Sequence, residues 1–497
     1  MSRWIESTVV PYAVPALVAC GLGWWGAIAQ FVPNPDGVLY LSAAELFAEG
    51  AWQRAAEMYS WPFYSLTIAA AMWLTGLDSF LGAQLVNVAC SAAGAVVFLL
   101  ILRELCGNDR TVIVIGSVLI TLHVGMTDWR FIIIRDHGFA LFSLIAMYFA
   151  LRALAKPSLT ASAVIIGAGV LAFLFRVEGI VVLGLSLLFP VFAGARPRLT
   201  IGLGIASTAG ACVALGLVVW AVGLESGAVS EIDLLIATAD RHVESIGDRV
   251  SALRGILPIF EKHDAAIAYV WLCLLFLATG LLEAIRAQTL ILGLFFFASG
   301  RDEKFNLVKR FVVIFVGGLA LVGLAFSITH FFFVHRYGYL ISIIFTIPAS
   351  IVMADLYREW RKDVWRIGFR SSLFPILMIV FVVDWAVEVP RPTVIGHLRE
   401  AGLWIAQRGY DPAAVASNDS RILYFAGVAS VDNNMGGRMS DATGNPRIAW
   451  RGYDIVAISA DARSTRRREI KAVLGADPIQ VIDGQRNQHV LIYDLRH

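Results

Sequence analysis

Apolar runs of about 17 to 25 residues, long enough to cross a bilayer, recur near residues 8–32, 80–102, 111–127, 138–155, 159–175, 179–194, 200–224, 266–285, 311–333, 338–357 and 369–389. The pattern predicts a polytopic α-helical membrane protein with about eleven transmembrane helices. The stretch YSLTIAAAMWLTG (64–76) is too short to span and lies between polar breaks, so it reads as an interfacial or re-entrant helix. It belongs to a long first loop, 33–79, that opens with the amphipathic segment DGVLYLSAAELFAEGAWQRAAEMY; a second long polar loop covers 225–264. Beyond residue 389 the period shortens. AAVAS, YDIVAIS, IQVID and HVLIYDL read as short strands, and IGHLREAGLWIAQRG and STRRREIKAVLG as helices, which predicts a small α/β domain over 390–497 after a membrane domain over 1–389.

Composition agrees with this reading. The chain has 497 residues, 58% of them hydrophobic and 16% charged, and a mean hydropathy of +0.71. Nothing suggests a nucleic-acid partner; membrane lipids are the expected surroundings. Cys20, Cys90, Cys106, Cys212 and Cys273 lie in or beside apolar runs without a CxxC pair, so neither a disulfide framework nor a zinc site is expected. The N-terminal run lacks a clear small-residue cleavage site and reads as a retained first span. Basic residues set the orientation. With the N-terminus inside, the short inner connections hold Arg103, Arg110, Arg152, Lys156, Arg196 and Arg198, then Arg301 to Arg310 and Arg358 to Arg370, as the positive-inside rule requires. The C-terminal domain is then external, and Glu283 and Arg286 fall at the inner edge.

On the predicted outer face, Asp36 follows the first span. TDWRFIIIRDHG brings Asp128, Arg130, Arg135, Asp136 and His137; FRVEG brings Arg176 and Glu178; FFVHRYGY brings His335, Arg336 and Tyr337. Connections this short hold their charges close to the apolar ends of the helices, where they must be paired or hydrated by a cavity. Arginines suit phosphate through bidentate hydrogen bonds, and a carboxylate beside them can act as a general base or hold a metal ion. Simpler roles compete with these. Arginines at helix ends snorkel to the interface, Arg176 and Glu178 can form a structural ion pair, and Asp36 can cap the helix after it. Trp52, Tyr59, Trp61 and Tyr64 read as an interfacial aromatic belt.

An early Asp in the first outer loop, then YLSAAELFAEGAW, then YSWPFYSLTIAAAMWLTG resembles the polyprenyl-phosphate-dependent glycosyltransferases of the GT-C superfamily, the group with the protein O-mannosyltransferases and lipid A aminoarabinose transferases. RDHGFALFSLIAMYFALRAL, LAFLFRVEGIVVL and HRYGYLISIIF extend the resemblance over about residues 1–390. Two departures stand out. Gly37 follows Asp36 where the O-mannosyltransferases have a second acid, and only Pro62 remains of a proline pair.

The resemblance implies an inverting glycosyltransferase at the outer face of a bacterial cytoplasmic membrane, moving a sugar from a polyprenyl phosphate to a glycan, lipid or protein acceptor. Asp36 is then the catalytic base and Asp136 the second carboxylate, the two facing one cavity. Arg336, Arg176, Arg135 and Arg130 would bind the donor phosphate, with Glu178, His335 and Tyr337 in support. No cofactor is certain; a divalent cation, Mg or Mn, would sit on Asp36 and Asp136 if one is used. A transporter or flippase of lipid-linked sugars would use the same arginines without chemistry, and a scaffold whose external domain binds a partner would use neither.

Overall fold

The computed structural model describes residues 9–29, 32–59, 61–194, 244–255, 262–300, 303–362, 369–389, 396–428, 453–461, 474–484 and 488–496. The expected span at 200–224, most of the 225–264 loop and the STRRREIKAVLG helix lie outside the described residues. Two compact units divide the chain. One comprises Met1–Leu22, Val88–Asp128 and Arg135–Val389, and the other Gly23–Asn87, Trp129–Ile134 and Pro390–His497.

The first unit is helical. Among the described residues, five helices are long and apolar enough to cross a membrane: Ser79–Cys106, Asp136–Ala155, Asp264–Ile285, Asn306–His330 and His335–Lys362. This is a multi-pass membrane protein. Shorter apolar helices include Leu159–Phe175 and Gly179–Phe192, which pack against each other and against Asp136–Ala155. The expected run 111–127 is interrupted: Arg110–Thr121 ends and a short helix, Val124–Asp128, follows, with His123 Nδ1 accepting the Met126 N–H at 3.1 Å.

One stretch differs from its expected course. The Tyr269 hydroxyl, near the start of the Lys262–Ile285 helix, donates to the Ile328 carbonyl at 2.6 Å, and Glu283, near its end, lies 3.3 Å from His335. Glu283 is therefore at the His335 end, not at the opposite edge where hydropathy put it. The chain breaks at Arg286, whose φ of 63° is unusual for a side-chain-bearing residue. Arg286 is held there by Glu388 at 2.8 Å. The helix that follows, Ala287–Ala298, lies along Tyr339–Lys362, with Gly293 against Phe345 and Pro348. It leads to Ser299 and Gly300, which line a cavity with Asp355 and Arg358. This 12-residue helix, left in a connection by the hydropathy reading, carries the chain from the His335 end to the Arg358 end.

In the second unit the amphipathic segment forms two helices, Pro35–Ala48 and Trp52–Met58, with a turn at Gly50 between them. YSLTIAAAMWLTG forms Phe63–Thr75, whose 13 residues rise only about 20 Å. Its Trp73 indole donates to the Ala48 carbonyl, and its Tyr64 ring meets Tyr40 edge-on at 5.2 Å. The C-terminal segment builds a four-stranded sheet from β1 Val415–Ser417, β2 Ile455–Asp461, β3 Gln480–Asp483 and β4 Gln488–Asp494, in the order β1-β2-β4-β3. β1 and β2 are parallel and the other pairs antiparallel, with Ile455 opposite Asp494 and Gln480 opposite Ile492. Alternation decides its faces: Ile455, Ala457 and Ile492 pack with Leu398, Ala401 and Ile405 of the Gly396–Gln407 helix, and Val456, Ile458 and Leu491 form the other core.

Candidate functional site

Three of the four charge-bearing connections meet in the first unit. Arg176 ends the Leu159–Phe175 helix in an extended conformation, and the next helix starts at Gly179. The turn between them is so close that a Cβ on Gly179 would lie 2.2 Å from the Phe173 nitrogen. That turn folds Glu178 back onto Arg176. Arg176 is buried; its Nη1 donates to Asp136 Oδ1 at 2.6 Å, its Nε to Glu178 Oε2 at 3.2 Å, and its Nη2 to Glu178 Oε1. Its guanidinium also lies 4.9 Å from the centre of the Tyr337 ring. Arg336 lies against the same ring at 5.5 Å. Two arginines thus share one aromatic ring, a cation–π arrangement that keeps them near each other despite like charge.

Burial alone would lower the Arg176 pKa, but Asp136 and Glu178 raise it above its ordinary value. Burial would raise that of Glu178, but Arg176 pulls it below the usual carboxylate range, and Arg135 adds to that pull. Arg176, Asp136 and Glu178 sum to one negative charge, which Arg135 and Arg336 outweigh. Asp136, Arg176, Glu178 and Arg336 border a cavity of about 250 Å³ whose remaining wall is mostly apolar, including Leu319, Val322, Phe326 and Phe333. A charged end and an apolar flank can receive an anionic headgroup with a hydrocarbon attached.

The other expected residues are placed as follows. Arg135 immediately precedes the Asp136–Ala155 helix and is half-buried. His335 pairs with Glu283. His137, named in the same connection, is buried, its Nδ1 3.2 Å from the Tyr339 hydroxyl. Asp36 and Arg130 belong to the second unit. Arg130 is buried in the Trp129–Ile134 segment. Asp36 is exposed in the first turn of Pro35–Ala48. It is not the cap: Asn34 holds that position with Pro35 after it, and Asp36 follows, where a carboxylate favours the positive end of the helix.

Sequence reasoning overlooked Asn34 and Asn87 and misread Tyr64. Tyr64 is buried, and its hydroxyl donates to Asn87 Oδ1 at 2.7 Å; it is no part of an exposed belt. The signals were present: Asn before Pro at a helix start marks a cap, and Asn inside an apolar run marks a hydrogen-bonded contact. Among the described residues no three His, Cys, Asp or Glu side chains converge as metal ligands. Arg176 occupies Oδ1 of Asp136.

Likeness to solved structures agrees with the architecture that the motifs led us to expect: the chain shares the fold of two solved glycosyltransferases. The crystal structure of ArnT from Cupriavidus metallidurans bound to undecaprenyl phosphate matches with a TM-score of 0.50 at 12% identity over 98% of each chain. The apo state of that protein matches with the same score and identity over 97% of each. The arabinofuranosyltransferase AftD from Mycobacteria matches with a TM-score of 0.51 at 14% identity, over 98% of this chain and 40% of that one. No family model and no curated protein sequence matches this chain.

Proposed function

We propose that this protein is an inverting glycosyltransferase that takes a sugar from a polyprenyl-phosphate donor at the outer face of the bacterial cytoplasmic membrane. The observation that carries the proposal is the cavity with arginines at one end and apolar side chains along its flank. The likeness to ArnT, whose crystal structure holds undecaprenyl phosphate, supports the class of donor.

In the proposed reaction Asp36 removes the proton of an acceptor hydroxyl, whose oxygen attacks the anomeric carbon. The bond from that carbon to the phosphate oxygen breaks, and the lipid phosphate leaves. Arg336 receives the departing phosphate, with Arg135 and Arg130 adding positive charge, because hydrogen-bond donors fixed where charge develops stabilise the transition state. Arg176 has both carboxylates on its fork, so it contributes charge from behind and fixes Asp136, which orients the acceptor. His335 and Tyr337 support Arg336. The scheme requires the two units to bring Asp36 and Asp136 to one substrate. Protein groups supply its charges. About eleven crossings, a cytoplasmic N-terminus and an external α/β domain over 390–497 complete the proposed arrangement, and the acceptor is a glycan, a lipid or a protein.

The test uses purified full-length protein in liposomes with a radiolabelled polyprenyl-phosphate sugar and envelope extract as acceptor. Release of free polyprenyl phosphate together with label in the acceptor is expected. Movement of intact donor across the bilayer without release would replace the transferase by a flippase.

A further inference from the structure

The segment that carries Arg130 is gripped at a single peptide bond. The Ile133 N–H donates to Asn34 Oδ1 at 2.9 Å, and Asn87 Nδ2 donates to the Ile132 carbonyl at 2.9 Å. These two backbone groups belong to one peptide unit, and in a trans peptide they point in opposite directions. One asparagine therefore holds each edge of the peptide, Asn34 from the start of Pro35–Ala48 and Asn87 from the Ser79–Cys106 helix. The backbone decides the orientation of both amides, because an N–H can only donate and a carbonyl can only accept. Tyr64 then fixes Asn87 by donating to its remaining oxygen at 2.7 Å.

The grip explains Gly37. A Cβ at that position would come 2.6 Å from Asn34 Oδ1 and 3.0 Å from Ile133 Cβ. The place where O-mannosyltransferases have a second acid is here closed by the amide and the isoleucine it holds. Asn34 is two residues before Asp36, and the gripped peptide lies two residues beyond Arg130 and continues directly into Arg135 and Asp136.

We propose that Asn34 and Asn87 are positioning residues that lock the Ile132–Ile133 peptide against the turn carrying Asp36, and so set Arg130 relative to the base. This rests on the transferase reading for its catalytic consequence and on hydrogen bonding alone for the lock. Neutral amides suit the task, since they add no charge beside the acid. A displacement of about 1 Å in a reacting group can cost on the order of a hundredfold in rate.

The experiment combines kinetics with hydrogen exchange on full-length protein in detergent, using Asn34→Ala, Asn34→Asp and Asn87→Asp. Asn34→Asp keeps an acceptor for the Ile133 N–H, whereas Asn87→Asp loses its donor and sets oxygen against oxygen at Ile132. Exchange across 129–134 should be slow in wild type and Asn34→Asp and at least tenfold faster in Asn34→Ala. Release of polyprenyl phosphate should fall about tenfold to a hundredfold in kcat for Asn34→Ala and Asn87→Asp, with donor KM within about twofold. A general loss of structure would instead move KM and the unfolding temperature together. Unchanged exchange in Asn34→Ala, or an unchanged kcat where exchange has risen, overturns the proposal. A wild type with slow exchange but no release of polyprenyl phosphate overturns the transferase reading and leaves the lock standing.

Discussion

Two regions of this protein hold their charged residues by opposite means. Around Arg176 a buried cation, a buried carboxylate and a half-buried one stabilise each other, with Tyr337 against the guanidinium. Around Asp36 the acid stays exposed, and neutral amides fix the backbone near it. A buried ion network is rigid because separating any member leaves a charge without a counter-charge in a poor solvent. An exposed carboxylate keeps its access to a substrate and needs only its backbone fixed. The contrast separates arginines that look equivalent in sequence: Arg176 is a structural centre, whereas Arg336, on the same aromatic ring, faces the cavity as its neighbour.

The largest expected effect tests the exposed side. Asp36→Asn should cut polyprenyl phosphate release by about 10² to 10⁴, the usual contribution of a general base. Its unfolding temperature should fall by no more than a few degrees, since the side chain is exposed and its charge at the helix start is worth under about 1 kcal/mol. Undiminished release from a normally expressed variant removes Asp36 from the mechanism. The buried side should respond the other way. Arg176→Ala leaves the buried Asp136 and the half-buried Glu178 without their cation and should cost about 3–5 kcal/mol in chemical unfolding. Because the Glu178 pKa is held down in the folded protein, the wild-type contribution is complete above the ordinary carboxylate range and fades as pH falls below it. A loss under about 1 kcal/mol at neutral pH would mean that the network is no stronger than a surface pair.

Much of this contrast was legible from residue order, because each short connection forces its charges to one end of the bundle. Arg176, Glu178, Asp136 and Tyr337 meet for that reason. The four strands were legible too, since a period of two over Val456, Ile458 and their neighbours admits few alternatives. What escaped depended on partners distant in sequence. Tyr64 looks like any interfacial aromatic until Asn87, 23 residues on, accepts its hydroxyl. The Ala287–Ala298 helix escaped because 12 apolar residues are fewer than a spanning window needs. Asp36 was offered the cap position although NPDG puts Asn before Pro, and hydropathy does not register such a signal.

Smaller perturbations sharpen the comparison within the second unit. Gly37→Ala forces Asn34 or Ile133 to move and should cost about 1–3 kcal/mol by overpacking. Denaturant unfolding would show it, and a neutral result would mean that the asparagine relaxes away without strain.

The smallest expected effect concerns the hold of the C-terminal segment on the first-loop helices. The Tyr424 hydroxyl donates to Glu45 Oε1 at 3.2 Å and lies 3.1 Å from Ser79 Oγ, and Ser79 itself donates to Glu45 Oε1 at 2.5 Å. Tyr424→Phe removes one donor and leaves the shorter Ser79 bond to satisfy the carboxylate. The cost should therefore stay near 1 kcal/mol, the net value of a single hydrogen bond. Burial first, and then Glu45, raise the Tyr424 pKa above its ordinary value. A raised folded pKa gives stability that is complete below the unfolded value of about 10 and is lost only as pH rises beyond it. The difference between wild type and Tyr424→Phe should then be flat from about pH 6 to 9 when unfolding is followed by tryptophan fluorescence. A difference that vanishes within that range would show that the hydroxyl ionises there, and that the acid beside it is not held as a hydrogen-bond acceptor.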